Sequence, residues 1–428
     1  MKQKINKIIA LAKTSTAKNT YLVFIGNSIA GLIGMVLMVI VSRSLGPAGF
    51  GVFSVSFALL TMLSKFADFG FNFAMIKDIS QSRARGDNQK IAKIFETVFL
   101  SKIAISLFIA IFGYFFIDII SEKLFHSPLS VAVNRSVVLF CFLFIFYDLI
   151  RSYFEACKRF WESTLIYIIA NLLKLLVIIP IILFWPNFKN FILIYIIMPF
   201  AAGLIFFCRT KLKFKLAFHI KEFKSLFNFA SWMAVSVILA AIGENLNIFM
   251  VSAKLSDFQT GIYSAADKFI LPFYIFATAL ASVLTTRASE FSEIYHIKVF
   301  IKKVMVVQLF FLLLFIVLFP LASLLPILLG KEYTASIGVL QILIIASYFR
   351  IAITPLNSVF YPLNKSIIFA IDSFIQVFLL FVLNQRWLLT FQAKGAAMAM
   401  VITNIVIFLF NYIFLYFILK QYKKVSLS

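Results

Sequence analysis

Apolar residues run through this chain in long blocks. The blocks cover residues 21–41, 51–76, 97–120, 136–157, 164–185, 191–208, 226–250, 261–286, 304–325, 337–360, 367–384 and 396–417. About 20 apolar residues in a row suffice to carry a helix across the hydrocarbon of a bilayer. A membrane strand would instead alternate polar and apolar positions over about 10 residues, and these blocks do not alternate. The pattern predicts an all-α integral membrane protein with about 12 transmembrane helices. The gaps are short: the longest on one side, Ser121 to Arg135, has 15 residues, and the longest on the other have 17 to 20. No folded domain outside the membrane is predicted, so function must reside among the helices or on their rims.

Composition agrees with lipid as the main solvent. The chain is 62% hydrophobic and 13% charged, against about half and about a quarter in soluble domains. The run Tyr21–Val41 is longer than a signal-peptide core and lacks an A-x-A site, so it reads as the first span. Ile5, Ile8 and Ile9 among the preceding lysines suggest a short interfacial helix.

Charge gives orientation. Of 40 Lys and Arg, 26 fall in the gaps 1–20, 77–96, 158–163, 209–225, 287–303, 361–366 and 418–428. The opposite gaps hold 8, and 6 lie within blocks. The excess of Lys and Arg on cytoplasmic loops places both termini in the cytoplasm, as an even number of spans requires. Topology and anionic membrane lipids therefore account for the net charge of +23, and no nucleic-acid partner is inferred. Cys141, Cys157 and Cys208 and the three scattered histidines show no metal-ligand spacing. Neither a metal nor a cofactor is expected.

A shift of 210 residues lays the segment after span one on the segment after span seven. Val41, Ser42, Leu45, Gly51 and Ser54 match Val251, Ser252, Leu255, Gly261 and Ser264, five identities in fourteen positions. Both copies enter from the same side, which implies parallel repeats about an axis along the membrane normal, with the substrate route between them. The expected organisation is an N-terminal lobe at 1–208, a basic linker at 209–225 and a C-terminal lobe at 226–428.

The six cations within spans need explanation, because a charge at mid-bilayer costs about 2.5–3.5 kcal/mol. Lys102 is five residues from the inner end of its span, where its stem can snorkel to the interface. Arg151 has Asp148 three residues back, and Lys65 has Asp68 three residues on; both spacings share a helix face. Lys268 follows Asp267, but neighbours on a helix point about 100° apart. Lys174 and Arg350 have no acid within four residues. Arg350, Lys174 and Lys268 are the candidates to hold an anion. Glu244 is deep and alone in span seven; it is the first candidate for a protonatable group, with Asp68 and Asp267 next. Enzyme motifs are missing: Gly330-Lys331 lacks the first glycine and the Ser/Thr of a P-loop, and neither G-x-S-x-G nor H-E-x-x-H occurs.

Leu45-Gly46-Pro47-Ala48-Gly49-Phe50-Gly51-Val52-Phe53, then Asp68-Phe69-Gly70, resemble the polysaccharide-export branch of the multidrug/oligosaccharidyl-lipid/polysaccharide (MOP) superfamily. Thr260-Gly261-Ile262-Tyr263-Ser264-Ala265-Ala266 resembles its second-half counterpart. The resemblance covers essentially the whole chain. It implies a Wzx-type flippase in the bacterial inner membrane, with two six-helix lobes about a central cavity. Its cargo would be an undecaprenyl-pyrophosphate-linked oligosaccharide, moved by ion-coupled alternating access for O-antigen or another surface glycan. Lipid-linked oligosaccharide, anionic lipids and other polysaccharide-assembly membrane proteins are the implied partners. Where many relatives carry an Asp-Arg pair late in span seven, this chain reads Glu244-Asn245-Leu246-Asn247. Glu244 is then the nearby acid. A drug or cation exporter of the same superfamily is the nearest rival, and deep cations disfavour cationic cargo. A membrane polysaccharide polymerase or ligase would need a sizeable outer loop, which is absent.

Overall fold

The computed structural model describes residues 15–425 except 126, 211, 213–214, 275–307, 310, 361–362 and 364–366. The predicted span 261–286 beyond residue 274 and the basic gap 287–303 lie outside the described residues. Among the described residues every regular element is helical. The chain runs through α1 (Ser15–Asp68), α2 (Phe71–Ala84), α3 (Asn88–Ile119) and α4 (Pro128–Ala156). It continues through α5 (Phe160–Phe184), α6 (Phe188–Phe207), α7 (Ile220–Lys254) and α8 (Asp257–Phe269). An apolar stretch, α9 (Phe311–Leu329), contains a 3-10 turn and precedes α10 (Ser336–Phe360), α11 (Ile367–Phe391) and α12 (Ala393–Val425). Ten helices among the described residues are long and apolar enough to cross a membrane. The first, Leu22–Asp68, holds two predicted spans joined at Gly46, where φ 64° and ψ 175° break the helix.

The spans bury polar residues and expose apolar ones. On α5 the buried stripe includes Thr164, Ala170, Asn171, Lys174 and Ile178, while Leu172, Leu176, Ile179 and Leu183 are exposed. Both sets recur at helical spacing, as expected where the outer solvent is hydrocarbon and backbone groups are satisfied within the helix.

Two boundaries depart from the apolar pattern. The block 51–76 ends as a helix at Asp68, because Phe69 and Gly70 adopt left-handed φ of 46° and 78°. A Cβ on Gly70 would lie 2.6 Å from the Ala230 carbonyl oxygen, so glycine is required for α7 to pack there. Asp68 Oδ1 accepts the Asn72 backbone N–H at 3.1 Å and satisfies one free donor of α2. The gap 77–96, expected as a loop, is mostly helical. Its turn falls at Gly86 (φ 73°), and Asp87 Oδ1 caps α3 through the Lys90 N–H at 2.9 Å.

The chain divides into two compact units, which are not contiguous halves. The first comprises residues 1–37, 59–121 and 129–238, the second 38–58, 122–128 and 239–428. The first is centred on an aromatic-rich core including Phe71, Phe95, Tyr153, Phe154 and Phe206. In the second, α12 packs on α10 and α11, with Leu356, Phe360, Ile368 and Leu415 in one apolar cluster.

The repeat has a physical counterpart inside the second unit. A Cβ on Gly51 would lie 2.0 Å from the Asp257 carbonyl oxygen, and one on Gly261 would lie 1.8 Å from that of Pro47. Positions 47 and 257, like 51 and 261, differ by the same 210 residues. The two repeats therefore cross backbone to backbone in a reciprocal contact that admits no side chain at either glycine.

Candidate functional site

Asp68 sits in a chain of buried charges in the first unit. Lys102 Nζ lies 2.8 Å from Asp68 Oδ1 and donates to Asn72 Oδ1 at 2.7 Å. Asn72 Nδ2 in turn donates to Asp148 Oδ2 at 2.7 Å. Lys102 is only 1% exposed, so it does not snorkel as expected. The acid ending α1 and the amide opening α2 hold it inward. Arg151 was expected to pair with Asp148; its carboxylate within 4 Å is Glu155, at 3.4 Å, and its guanidinium lies 5.1 Å from the Tyr167 ring centroid. Asp68 thus has an ion pair with Lys102, 34 residues on in the chain.

Lys174 stands apart from that chain. It is buried on α5, where its Nζ meets Asn171 Oδ1 at 2.9 Å and lies 4.7 Å from the Tyr195 ring centroid. Asn171 is fixed by donating to the Ala30 carbonyl at 3.0 Å. Among the described residues no carboxylate lies within 4 Å of Lys174. An amide oxygen and a ring face orient the ammonium without neutralising it.

The second unit holds the other four candidates, three of them near Tyr274. The Arg350 guanidinium lies 5.5 Å from the Tyr274 ring centroid. Arg350, Asp267 and Glu244 are all close enough to act electrostatically on its phenol. Arg350 has no carboxylate within 4 Å among the described residues. Lys268 does reach Asp267, at 3.3 Å, against the expectation from helix geometry. The pair sits in the last turn of α8, where the lysine stem is free to fold back.

Glu244 is exposed on α7, next to Gly243, whose backbone packs against Gln376 of α11. One turn on, Asn247 Nδ2 donates to the Tyr263 hydroxyl at 2.9 Å and accepts at Oδ1 from Asn384 Nδ2 at 2.7 Å. This buried relay joins α7, α8 and α11 and fixes the helix that carries Glu244. Sequence reasoning passed over Asn72, Tyr195, Tyr274, Asn384 and Asn411. Asparagines inside apolar blocks were the available signal, since a buried amide must find partners on other helices.

Each unit thus places a cation against an aromatic ring among its helices, an arrangement that can act electrostatically on an ion in a low-dielectric setting. Residues 16–285 match the family described as "Polysaccharide biosynthesis protein". A protein of Shigella flexneri named "Putative O-antigen transporter" is 26% identical over 381 residues, covering 83% of this chain and 87% of that one. Among solved structures, a lipid II flippase, MurJ, in an inward closed conformation superposes with a TM-score of 0.78 at 14% identity, over 92% of this chain and 87% of that one. An inward-facing MATE-family multidrug transporter of the MOP superfamily gives 0.76 at 14% identity, over 93% and 96%. The fold is thus the MOP transporter fold expected from the sequence.

Proposed function

The chain belongs to the polysaccharide biosynthesis protein family, and from that premise we propose that it flips undecaprenyl-pyrophosphate-linked oligosaccharide from the cytoplasmic to the outer leaflet. In this reading it works by alternating access coupled to an ion gradient and serves O-antigen or another surface polysaccharide. The observation that carries the reading is a pair of cations within spans, Lys174 and Arg350, each oriented by an aromatic ring and neither within 4 Å of a carboxylate among the described residues. An unneutralised charge in hydrocarbon is costly, and a diphosphate crossing the membrane has the complementary need. Arginine suits bidentate phosphate contact, and lysine serves as a point charge. Lys268 is an accessory cation, since Asp267 offsets it. Glu244, exposed within a span, and Asp267 are the acids for ion coupling, whereas Asp68, held by Lys102, is structural.

Two relatives support the cargo class: the Shigella flexneri protein by its name, and the lipid II flippase by sharing the fold. Multidrug transporters share that fold too, but unneutralised cations disfavour cationic drugs. The reading is tested by deleting the gene in its host and measuring lipid-linked oligosaccharide and surface glycan. Accumulation on the cytoplasmic face with loss of surface glycan is expected, and the wild-type gene should reverse both. Unchanged surface glycan in the deletion strain rejects the reading.

A further inference from the structure

In the gap between α6 and α7, apolar side chains stand exposed beside lysines. Leu216, Phe218 and Ile220 are 62%, 48% and 65% exposed. Ala217 and His219 between them are half-buried, while Lys215, Lys221 and Lys224 are exposed. From 216 to 220 every second residue is thus apolar and open. These are not the lipid-facing residues of a span. They fall in the gap 209–225, between the apolar blocks 191–208 and 226–250, where six Lys or Arg meet one acid, Glu222.

Glu96 holds this segment at a definite depth. It is 4% exposed and is the last residue before the apolar block 97–120. Its Oε1 accepts the Lys215 backbone N–H at 2.8 Å, and its Oε2 meets His219 Nε2 at 3.1 Å. Both oxygens of a buried carboxylate are therefore committed to the linker, and all three residues belong to the first unit. The Phe218 ring packs on that of Phe223 in α7, with centroids 5.2 Å apart. Between the two clamped residues Leu216 adopts a left-handed φ of 48°. A bulky side chain keeps that conformation only where its surroundings fix it. The linker thus follows a defined path at the edge of the hydrocarbon.

A cluster of exposed apolar side chains marks a surface that something covers. At the boundary of a bilayer such side chains enter the acyl region while neighbouring lysines reach the headgroups. The charge rule that orients the chain puts this gap on the cytoplasmic side, whose leaflet carries anionic lipid. The excess of lysine over acid complements that surface. We propose that residues 215–224 form a membrane-surface anchor. Leu216, Phe218 and Ile220 enter the headgroup–acyl boundary of the cytoplasmic leaflet, Lys215, Lys221 and Lys224 bind anionic headgroups, and Glu96 clamps the anchor to the first unit. The connector between the two halves of the chain is then fixed at the leaflet and is not a slack tether. The anchor does not depend on what the protein transports.

Full-length protein carrying Cys208→Ser is labelled with a nitroxide at Phe218→Cys or Ile220→Cys, and at Arg85→Cys as an exposed control; Cys141 and Cys157 are buried. Each is placed in nanodiscs of phosphatidylcholine alone or mixed with phosphatidylglycerol. Collisions of the label with oxygen and with a water-soluble nickel chelate are then measured. In discs with phosphatidylglycerol the linker labels should be reached by oxygen and shielded from the chelate, and the Arg85 label the reverse. Changing Lys215, Lys221 and Lys224 together to Gln should raise the phosphatidylglycerol fraction needed for shielding, each lysine being worth about fivefold in lipid affinity. Glu96→Ala should mobilise the Phe218 label and leave the control unchanged. Linker labels as open to the chelate as the control overturn the anchor. Shielding in native membranes but not in nanodiscs gives the patch to a protein partner and overturns it equally. Shielding that is the same in both lipids and untouched by the triple variant overturns the headgroup contact, and an unmoved Phe218 label in Glu96→Ala overturns the clamp.

Discussion

Replacing Lys102 with Met isolates the worth of the buried charge chain at the α1–α2 corner. Lys102 Nζ and Asp68 Oδ1 are 2.8 Å apart, with side chains 2% and 5% exposed. At an effective dielectric of about 20, such a pair attracts by about 6 kcal/mol, and the cost of desolvating both ions offsets much of that. The loss of one partner is a different quantity. Lys102→Met leaves the Asp68 carboxylate buried with the Asn72 backbone N–H still donating to it, and it removes a donor from Asn72 Oδ1. The expected destabilisation is about 3–5 kcal/mol. By contrast, the half-exposed Arg159–Glu162 pair, with side chains 35% and 23% exposed, should cost below about 1 kcal/mol when cut. Unfolding of purified protein in mixed micelles under a denaturing-detergent titration measures each loss. A double-mutant cycle supplies the control: Asp68→Asn with Lys102→Met removes both charges and should recover at least about 2 kcal/mol relative to the summed single variants. A Lys102→Met loss below about 1 kcal/mol, or strict additivity in the cycle, would refute the claim that this pair braces the corner.

Gly51→Ala and Gly261→Ala should each destabilise by about 1–3 kcal/mol, because the new Cβ meets a backbone carbonyl at 2.0 and 1.8 Å. Gly34→Ala, where nothing lies within 4 Å, should be neutral or stabilising by about 0.5–1 kcal/mol; equal thermal midpoints for all three would refute the crossing. Burial holds the Asp257 carboxyl above its ordinary 3.8, and the Ser127 hydroxyl, donating at 2.8 Å, lowers it by less. The folded-state value is raised, so this carboxyl's stabilisation is complete below 3.8 and is lost as pH rises through the raised value. Asp257→Asn should therefore gain thermal midpoint over wild type between about pH 4 and pH 7 and show none below; a difference that is flat with pH contradicts this. Lys174→Ala and Arg350→Ala, at normal protein level, should each lower surface glycan and together abolish it, by glycan gel and blot. Full glycan from the double variant removes the phosphate role.

What the sequence displayed, and what it hid, follows from how far each interaction reaches along the chain. The apolar blocks were legible because bilayer thickness imposes their length on every span. The match of Gly51 with Gly261 was legible as a repeat, but not that the two copies cross there, although a backbone contact that admits no Cβ accounts for glycine at both positions. Element ends were less so: the stop at Asp68 depends on Gly70 meeting Ala230, which is 160 positions away and invisible to local pattern. Charge pairing at the α1–α2 corner was hidden for the same reason. Helix spacing offers partners three or four residues away; for Arg151 the carboxylate within 4 Å is Glu155, four residues on, and not the expected Asp148 three residues back. The partners that Lys102 and Asn72 take are Asp68 and Asp148, 34 and 76 positions away. Local spacing is therefore a poor guide to which membrane charges are paired, but a better guide to which are not. A cation with no acid on its own helix can be neutralised only across helices, and each such partner must itself be brought out of water. Lys174 and Arg350 lacked local acids, and in the fold they meet an amide and aromatic rings in place of a carboxylate. In the proposed flippase that partner is the diphosphate of the cargo, whose desolvation the fold need not bear until transport begins.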